Sequence, residues 1–171
     1  MKKRSININE YANVITDALS RGVLMTTKQG DKINSMVIGW GHIGRIWERS
    51  VFVAYVRRCR FTRELLDQTG EFTVNVPVNG MDRKTFAVCG TKSGRDTDKR
   101  REAGLTPIPA ERIGAPALKE LPLTLECRVI YRQEQQASGL SEDIRRQFYT
   151  VETDEHIAYY AQILAAYVLE E

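Results

Sequence analysis

The stretch Val51-Phe52-Val53-Ala54-Tyr55-Val56-Arg57-Arg58-Cys59-Arg60-Phe61-Thr62 constrains the fold more than any other part of the chain. Its opening residues are apolar, β-branched or aromatic, the pattern of a buried strand. The guanidinium groups of Arg57, Arg58 and Arg60 follow at once. Phe61, Leu65 and Leu66 then recur at helical spacing with Glu64 in the first turn, so a buried strand passes into a helix through a cluster of cations. A helix start carries unpaired N–H groups and the positive end of the helix dipole, and both attract an anion such as phosphate. Thr62 adds a hydroxyl donor. A solvated basic turn is the competing reading of the same residues.

A buried strand needs partners, and the chain supplies them on both sides. Asn9 can cap a first helix whose apolar stripe is Tyr11, Val14, Ile15, Ala18 and Leu19, with Gly22 as its stop. Residues 23–28 and 33–41 read as strands joined by the turn Gln29-Gly30-Asp31-Lys32, an antiparallel hairpin. Gly41-His42-Ile43-Gly44-Arg45-Ile46-Trp47 is rich in glycine and reads as a loop. Phe72, Val74 and Val76 alternate with Thr73 and Asn75 in a strand that Pro77 ends.

Residues 81–104 read as two short helices broken at Gly90-Thr91-Lys92-Ser93-Gly94; Asp96 caps the second, with Lys99 in its first turn and Gly104 at its end. Residues 105–122 hold four of the five prolines and form an irregular connection within the domain. Leu123, Leu125, Cys127, Val129 and Tyr131 alternate with polar residues in a long, half-buried strand. Residues 138–148 are a polar excursion. Residues 157–169 suit a strand or a helix: Tyr159, Ile163, Tyr167 and Val168, with no cap before them, favour the strand, whereas the alanines suit a helix. Many strands with antiparallel neighbours and few helices predict a mainly β fold, a closed or partly closed barrel with peripheral helices.

A length of 171 residues fits a single domain over residues 1–171 with a real core. The net charge of +3 does not call for nucleic acid as a partner. No apolar run approaches a membrane span, and polar Asn7, Asn9 and Glu10 follow the basic N-terminus where a signal peptide would place its apolar core. Three widely spaced cysteines, Cys59, Cys89 and Cys127, fit reduced thiols and a cytoplasmic setting.

Three further motifs bear on chemistry. Asn34-Ser35-Met36-Val37-Ile38-Gly39-Trp40-Gly41 leaves bare backbone at alternate positions beside a large indole, which suits the close approach of a ligand or another chain, or a bend in a barrel wall. Cys89-Gly90-Thr91-Lys92-Ser93-Gly94-Arg95-Asp96-Thr97-Asp98-Lys99 joins small residues, hydroxyls and cations. It can form an anion nest or an exposed loop, but it has neither the P-loop spacing nor a dinucleotide fingerprint. The two histidines, His42 and His156, have no neighbours at metal-ligand spacing, so no metal site is expected. His156, beside Asp154 and Glu155, reads as a surface residue at a strand end. No serine sits in a nucleophile elbow.

Together these stretches resemble the flavin reductase-like family of FMN-binding split barrels, its flavoredoxin-type members most closely. The resemblance runs through 34–40, Gly41-x-x-Gly44-x-x-Trp47, Tyr55-Val56-Arg57-x-x-Arg60-Phe61-Thr62, residues 71–77, the 89–99 motif and Gly104-Leu105-Thr106, in order and in register. It implies a six-stranded antiparallel split barrel, a homodimer, and FMN near the subunit interface. By matching motif, Asn34, Ser35, Met36, Val37 and Ile38 would line the flavin ring. Arg57, Arg60, Phe61 and Thr62 would surround the phosphate, and Cys89, Gly90, Thr91, Ser93 and Lys99 would close from the other side. His156 would be a candidate nicotinamide contact. Val37 stands where threonine is common, Cys59 where serine is, and Arg100 where an aromatic often follows the lysine. These departures touch the ring's surroundings more than the phosphate.

The resemblance implies an enzyme: hydride transfer from NADH or NADPH to bound FMN, then electron delivery to a small-molecule or protein acceptor, with no side chain needed as acid or base. An FMN electron carrier without a nicotinamide site is the second reading. The third is a non-enzymatic barrel binding a nucleotide, another anion or nucleic acid through its basic loops.

Overall fold

In a computed structural model, residues 1–150 and 154–170 are described. The chain builds β1 (Lys2–Ser5), α1 (Ile8–Arg21), β2 (Val23–Gln29), β3 (Lys32–Ile38), β4 (Gly41–Ile46), β5 (Arg49–Arg57), α2 (Phe61–Thr69) and β6 (Glu71–Val76). It continues with α3 (Arg83–Thr91), α4 (Lys99–Ala103), β7 (Pro107–Ile108), β8 (Ala117–Leu118), β9 (Leu123–Glu134), α5 (Glu142–Phe148) and β10 (His156–Glu170).

The fold is mainly β, an antiparallel split barrel with peripheral helices. Its strands run in the order β3-β2-β6-β9-β10-β5-β4, with β1 added beside β10 to make eight. The long β10 explains the split. Along its first half it pairs with β5, from His156 opposite Arg57 to Gln162 opposite Val51. Its last residues turn to β1 instead, Tyr167 opposite Ser5 and Glu170 opposite Lys2. Along its other edge it follows β9, with register shifts near Tyr160 and Ile163. Residues 157–169 are therefore strand, as the β-branched and aromatic residues required.

The core lies between the sheet and the apolar faces of α1 and α2. Ile15, Ala18 and Leu19 of α1, Leu66 of α2, Phe52, Phe72, Val74 and Leu125 are all buried in one cluster. Phe52 and Phe72 meet edge-to-face at 6.4 Å. Each large side chain so buried contributes roughly 1.5–3 kcal/mol.

Several local expectations are corrected. The cap of α1 is Asn7, which accepts from the Asn9 N–H, so the helix starts earlier than Asn9. The cap of α4 is Asp98, which accepts from the Arg101 N–H, and not Asp96. Residues 105–122 contain the small β7–β8 hairpin.

The stretch from Gly41 is strand β4 and not a loop, paired with β5 from Gly41 opposite Ala54 to Ile46 opposite Arg49. Gly41 serves that strand: a Cβ there would stand 2.8 Å from the Val53 carbonyl oxygen and 3.0 Å from the Phe52 ring. The glycine admits close strand packing and does not break the sheet. Among the described residues no helix is long and apolar enough to cross a membrane.

Candidate functional site

The strand–cation–helix junction forms the floor of a cleft of about 110 Å³. One wall is β3, which lies at the end of the sheet and so has an unpaired edge; it presents Asn34, Met36 and Val37. The floor is Cys59, Arg60, Phe61 and Thr62. The other wall is the end of α3 and the loop after it, with Cys89, Gly90, Thr91, Ser93 and Gly94, and Lys99 closes the back. Residues distant in sequence meet because Asn34 Nδ2 donates to Thr62 Oγ1 at 2.7 Å, tying the edge strand to the first turn of α2.

The electrostatics of this cleft are one-sided. Arg60 is the N-cap of α2 with extended backbone, and no side chain caps the helix. The first N–H groups of α2 therefore lack intrahelical acceptors and form the positive end of the helix dipole. Among the described residues the Arg60 side chain has neither an ion pair nor a hydrogen bond. Lys99 is 4% exposed, and among the described residues its Nζ has only the Cys89 carbonyl oxygen, at 3.3 Å. Burial pushes the Lys99 ammonium below the ordinary lysine range; the Cys89 sulfur opposes this shift and the Arg60 charge adds to it. A buried cation lacking a carboxylate partner, a bare guanidinium and an uncapped helix start fit a doubly charged anion such as phosphate.

A second cleft of about 180 Å³ adjoins the first, sharing Met36, Val37 and Arg60 and adding Ile38, Gly39, Trp40, Tyr55, Arg57 and His156. His156 is 5% exposed, so it is not the surface residue expected. Its ring lies 4.7 Å from Trp40, and its Nδ1 is 2.9 Å from the Tyr149 hydroxyl. Burial, reinforced by the Arg57 charge and opposed by Asp154, pushes His156 down to about 4, so the imidazole is neutral at pH 7. Phe148 meets Trp40 edge-to-face at 5.1 Å.

Most residues singled out in the sequence thus line one continuous groove, but two are not placed as expected. The Ser35 hydroxyl turns away and lies 2.8 Å from Thr26 Oγ1 inside the sheet. The Arg57 guanidinium does not join Arg60 at the start of α2; it donates to the Phe148 and Asp154 carbonyl oxygens, each at 2.9 Å. Phe148 and Asp154 belong to a polar connection with no periodic signal, which is why sequence reasoning missed them. Tyr55, Tyr149 and Gly94 were missed as well. Gly94 had a signal in its small-residue loop, but only the fold shows what it packs against.

The thiols offer no nucleophile. All three are free. Burial raises the Cys59 thiol, with Asp154 adding to the shift. Burial raises Cys89 as well, and a thiol held protonated is unreactive at neutral pH.

Comparison with known proteins places the chain in a family. An uncharacterized protein of Pyrococcus abyssi is 30% identical over 109 residues, covering 64% of this chain and 61% of that protein. The chain thus spans about three fifths of that relative. Flavoredoxin from Methanosarcina acetivorans has a similar structure, with a TM-score of 0.68 and 27% identity over 88% of this chain and 69% of that one. An FMN-binding domain of a flavin reductase-like enzyme from Shewanella baltica shares the fold, with a TM-score of 0.67 and 15% identity over 98% of this chain and 77% of that one. A family model described as the flavin reductase like domain matches residues 19–171, so the chain belongs to the flavin reductase-like family.

Proposed function

We propose that this chain binds FMN across the two clefts and acts as an NADH- or NADPH-dependent flavin reductase, passing electrons to a small-molecule or protein acceptor. The observation that carries the reading is the convergence of Arg60, Lys99 and the uncapped start of α2 on one cleft that holds no carboxylate. In this reading Arg60, Lys99 and the Phe61 and Thr62 backbone hold the phosphate. The edge of β3 at Asn34, Met36, Val37 and Ile38, with Gly90, Thr91 and Ser93 opposite, lines the ring.

FMN, when bound, supplies hydride acceptance and electron release. The chain's own residues bind, orient and exclude water. Asn34 keeps Thr62 and α2 in place through its hydrogen bond. Neutral His156 and Trp40 give this end of the groove flat aromatic faces, beside the Arg57 guanidinium, where a planar reactant can stack. No side chain is required to move a proton.

The reading also includes a homodimer in the cytoplasm, without nucleic acid or membrane as a partner. Trp47, 53% exposed, stands beside the half-exposed Tyr131 on the outer face of the sheet, and a second copy would cover them. Sedimentation that finds only monomer with flavin bound would overturn that part.

The likeness to flavoredoxin favours one alternative, an FMN electron carrier without a nicotinamide site. Flavin absorbance in the purified protein separates both from a barrel that binds some other anion, and steady-state NADH or NADPH oxidation separates enzyme from carrier. The binding mode is tested with Arg60→Ala. A charge-assisted hydrogen bond contributes about 1.5–3 kcal/mol, so FMN should bind roughly ten- to hundredfold more weakly. Riboflavin, which lacks the phosphate, should lose little, and Arg60→Lys should recover part of the FMN affinity. Equal losses for the two flavins would refute the phosphate site.

A further inference from the structure

Helix α5 and the residues just after it, in the connection from β9 to β10, stand at the outer end of the groove beside Trp40 and His156. Helix α5 has seven residues and buries none of them. So short a helix without an apolar seal has no independent stability. What fixes it is a set of contacts at its C-terminal end: Phe148 meets Trp40, the Tyr149 hydroxyl lies 2.9 Å from His156 Nδ1, and Arg57 adds several from the end of β5. Arg57 Nη2 donates to the Phe148 carbonyl oxygen and Nη1 to that of Asp154, each at 2.9 Å. Nη1 also lies 3.5 Å from the Asp154 carboxylate. The guanidinium stands over the Tyr149 ring at 5.6 Å. The Asp154 carboxylate is held in turn by the Cys59 N–H, at 3.1 Å. Two carbonyl oxygens that accept from one planar fork define an orientation that a point charge would not.

We propose that Arg57 is a positioning residue: it fastens the α5 connection so that Phe148 and Tyr149 stand against Trp40 and His156, and it is not a ligand of the cofactor phosphate. The second half of this statement rests on the FMN reading; the first does not. The consequence is a division of labour within one basic motif. Arg60 meets the anion. Arg57, three residues earlier and at the end of β5, closes the groove's aromatic end, where an electron donor or acceptor would enter.

The test uses Arg57→Gln and Arg57→Lys in the full chain, with Arg60→Ala as the contrast. Hydrogen exchange over residues 142–149 should speed up by about tenfold or more in both Arg57 variants, because the connection loses its tether. In a Trp47→Phe background Trp40 is the sole tryptophan, and its quenching by acrylamide should rise in both Arg57 variants. The ratio of FMN to riboflavin affinity should stay within about twofold of wild type in Arg57→Gln, and fall about tenfold or more in Arg60→Ala. A tenfold fall of that ratio in Arg57→Gln would make Arg57 a phosphate ligand and overturn the proposal. Unchanged exchange and quenching in both Arg57 variants would overturn it too. If wild type binds neither flavin, the FMN reading fails by itself, and exchange and quenching still decide whether Arg57 is the tether.

Discussion

Gly94 packs directly on Asn34: a methyl group at position 94 would overlap the Asn34 carboxamide oxygen and stand 2.9 Å from Phe61 Cδ1. Both neighbours belong to the groove, and Asn34 is the residue that ties β3 to Thr62 of α2. Gly94→Ala should therefore push Asn34 out of line and cost about 1–3 kcal/mol, as overpacking does. Urea denaturation should show the lower midpoint, and FMN titration a weaker complex. An unaltered midpoint with unaltered affinity would mean that the loop yields freely.

Lys99 sets stability against binding. Its charge is buried with no carboxylate partner among the described residues, and its folded-state pKa is depressed. The folded chain therefore holds its proton less tightly than the unfolded chain, so the penalty is present at neutral pH and is relieved as pH rises toward the ordinary lysine value. Lys99→Met should leave the flavin-free protein as stable as wild type or more so, and weaken FMN binding by about tenfold. Thermal unfolding with and without FMN would check both halves. A Lys99→Met protein that is less stable without flavin would contradict the account.

His156 should make the fold sensitive to mild acid. Its pKa falls from 6.5 to about 4 on folding, so the unfolded chain binds more protons between those values. Its contribution is full above pH 6.5 and is lost as pH falls toward 4. Replacing it with Gln should remove up to about 2 kcal/mol of the stability change between pH 7 and pH 5. Denaturation of wild type and His156→Gln at the two pH values gives the difference directly. Equal pH dependence in the two proteins would show that His156 titrates normally.

The β4–β5 turn holds a removable strain. Trp47 and Glu48 both have positive φ, 50° and 57°. A non-glycine residue in that region costs roughly 1–2 kcal/mol. Trp47 has aromatic neighbours in Tyr131 and Tyr160 at 5.9 Å and 6.1 Å. No aromatic contact holds Glu48. Glu48→Gly should stabilise the chain by about 0.5–1 kcal/mol, after the entropy that glycine adds to the unfolded state. A higher denaturation midpoint with an unchanged slope is the expected reading, and a lower midpoint would contradict it.

Alternation and turn chemistry are local, so the hairpin of β2 and β3, the buried β5, the half-buried β9 and the passage from β5 through cations into α2 were legible in the residues alone. The sequence also marked most of the residues that line the groove, because their small, hydroxylated and basic character is visible position by position. Glycine was the misleading signal. At Gly41 it marks close packing against Val53 and Phe52 within a sheet, and only the partner strand shows that. Caps were misplaced by two residues at Asn7 and Asp98, since several polar residues compete at each helix start and backbone geometry selects one. Which partners the arginines meet depends on long-range contacts. Arg57 and Arg60 look alike in sequence, but β10 returns beside the end of β5 and brings Asp154 and the Phe148 carbonyl to Arg57. A guanidinium binds whatever acceptors long-range pairing carries to it, and no local pattern encodes which they are.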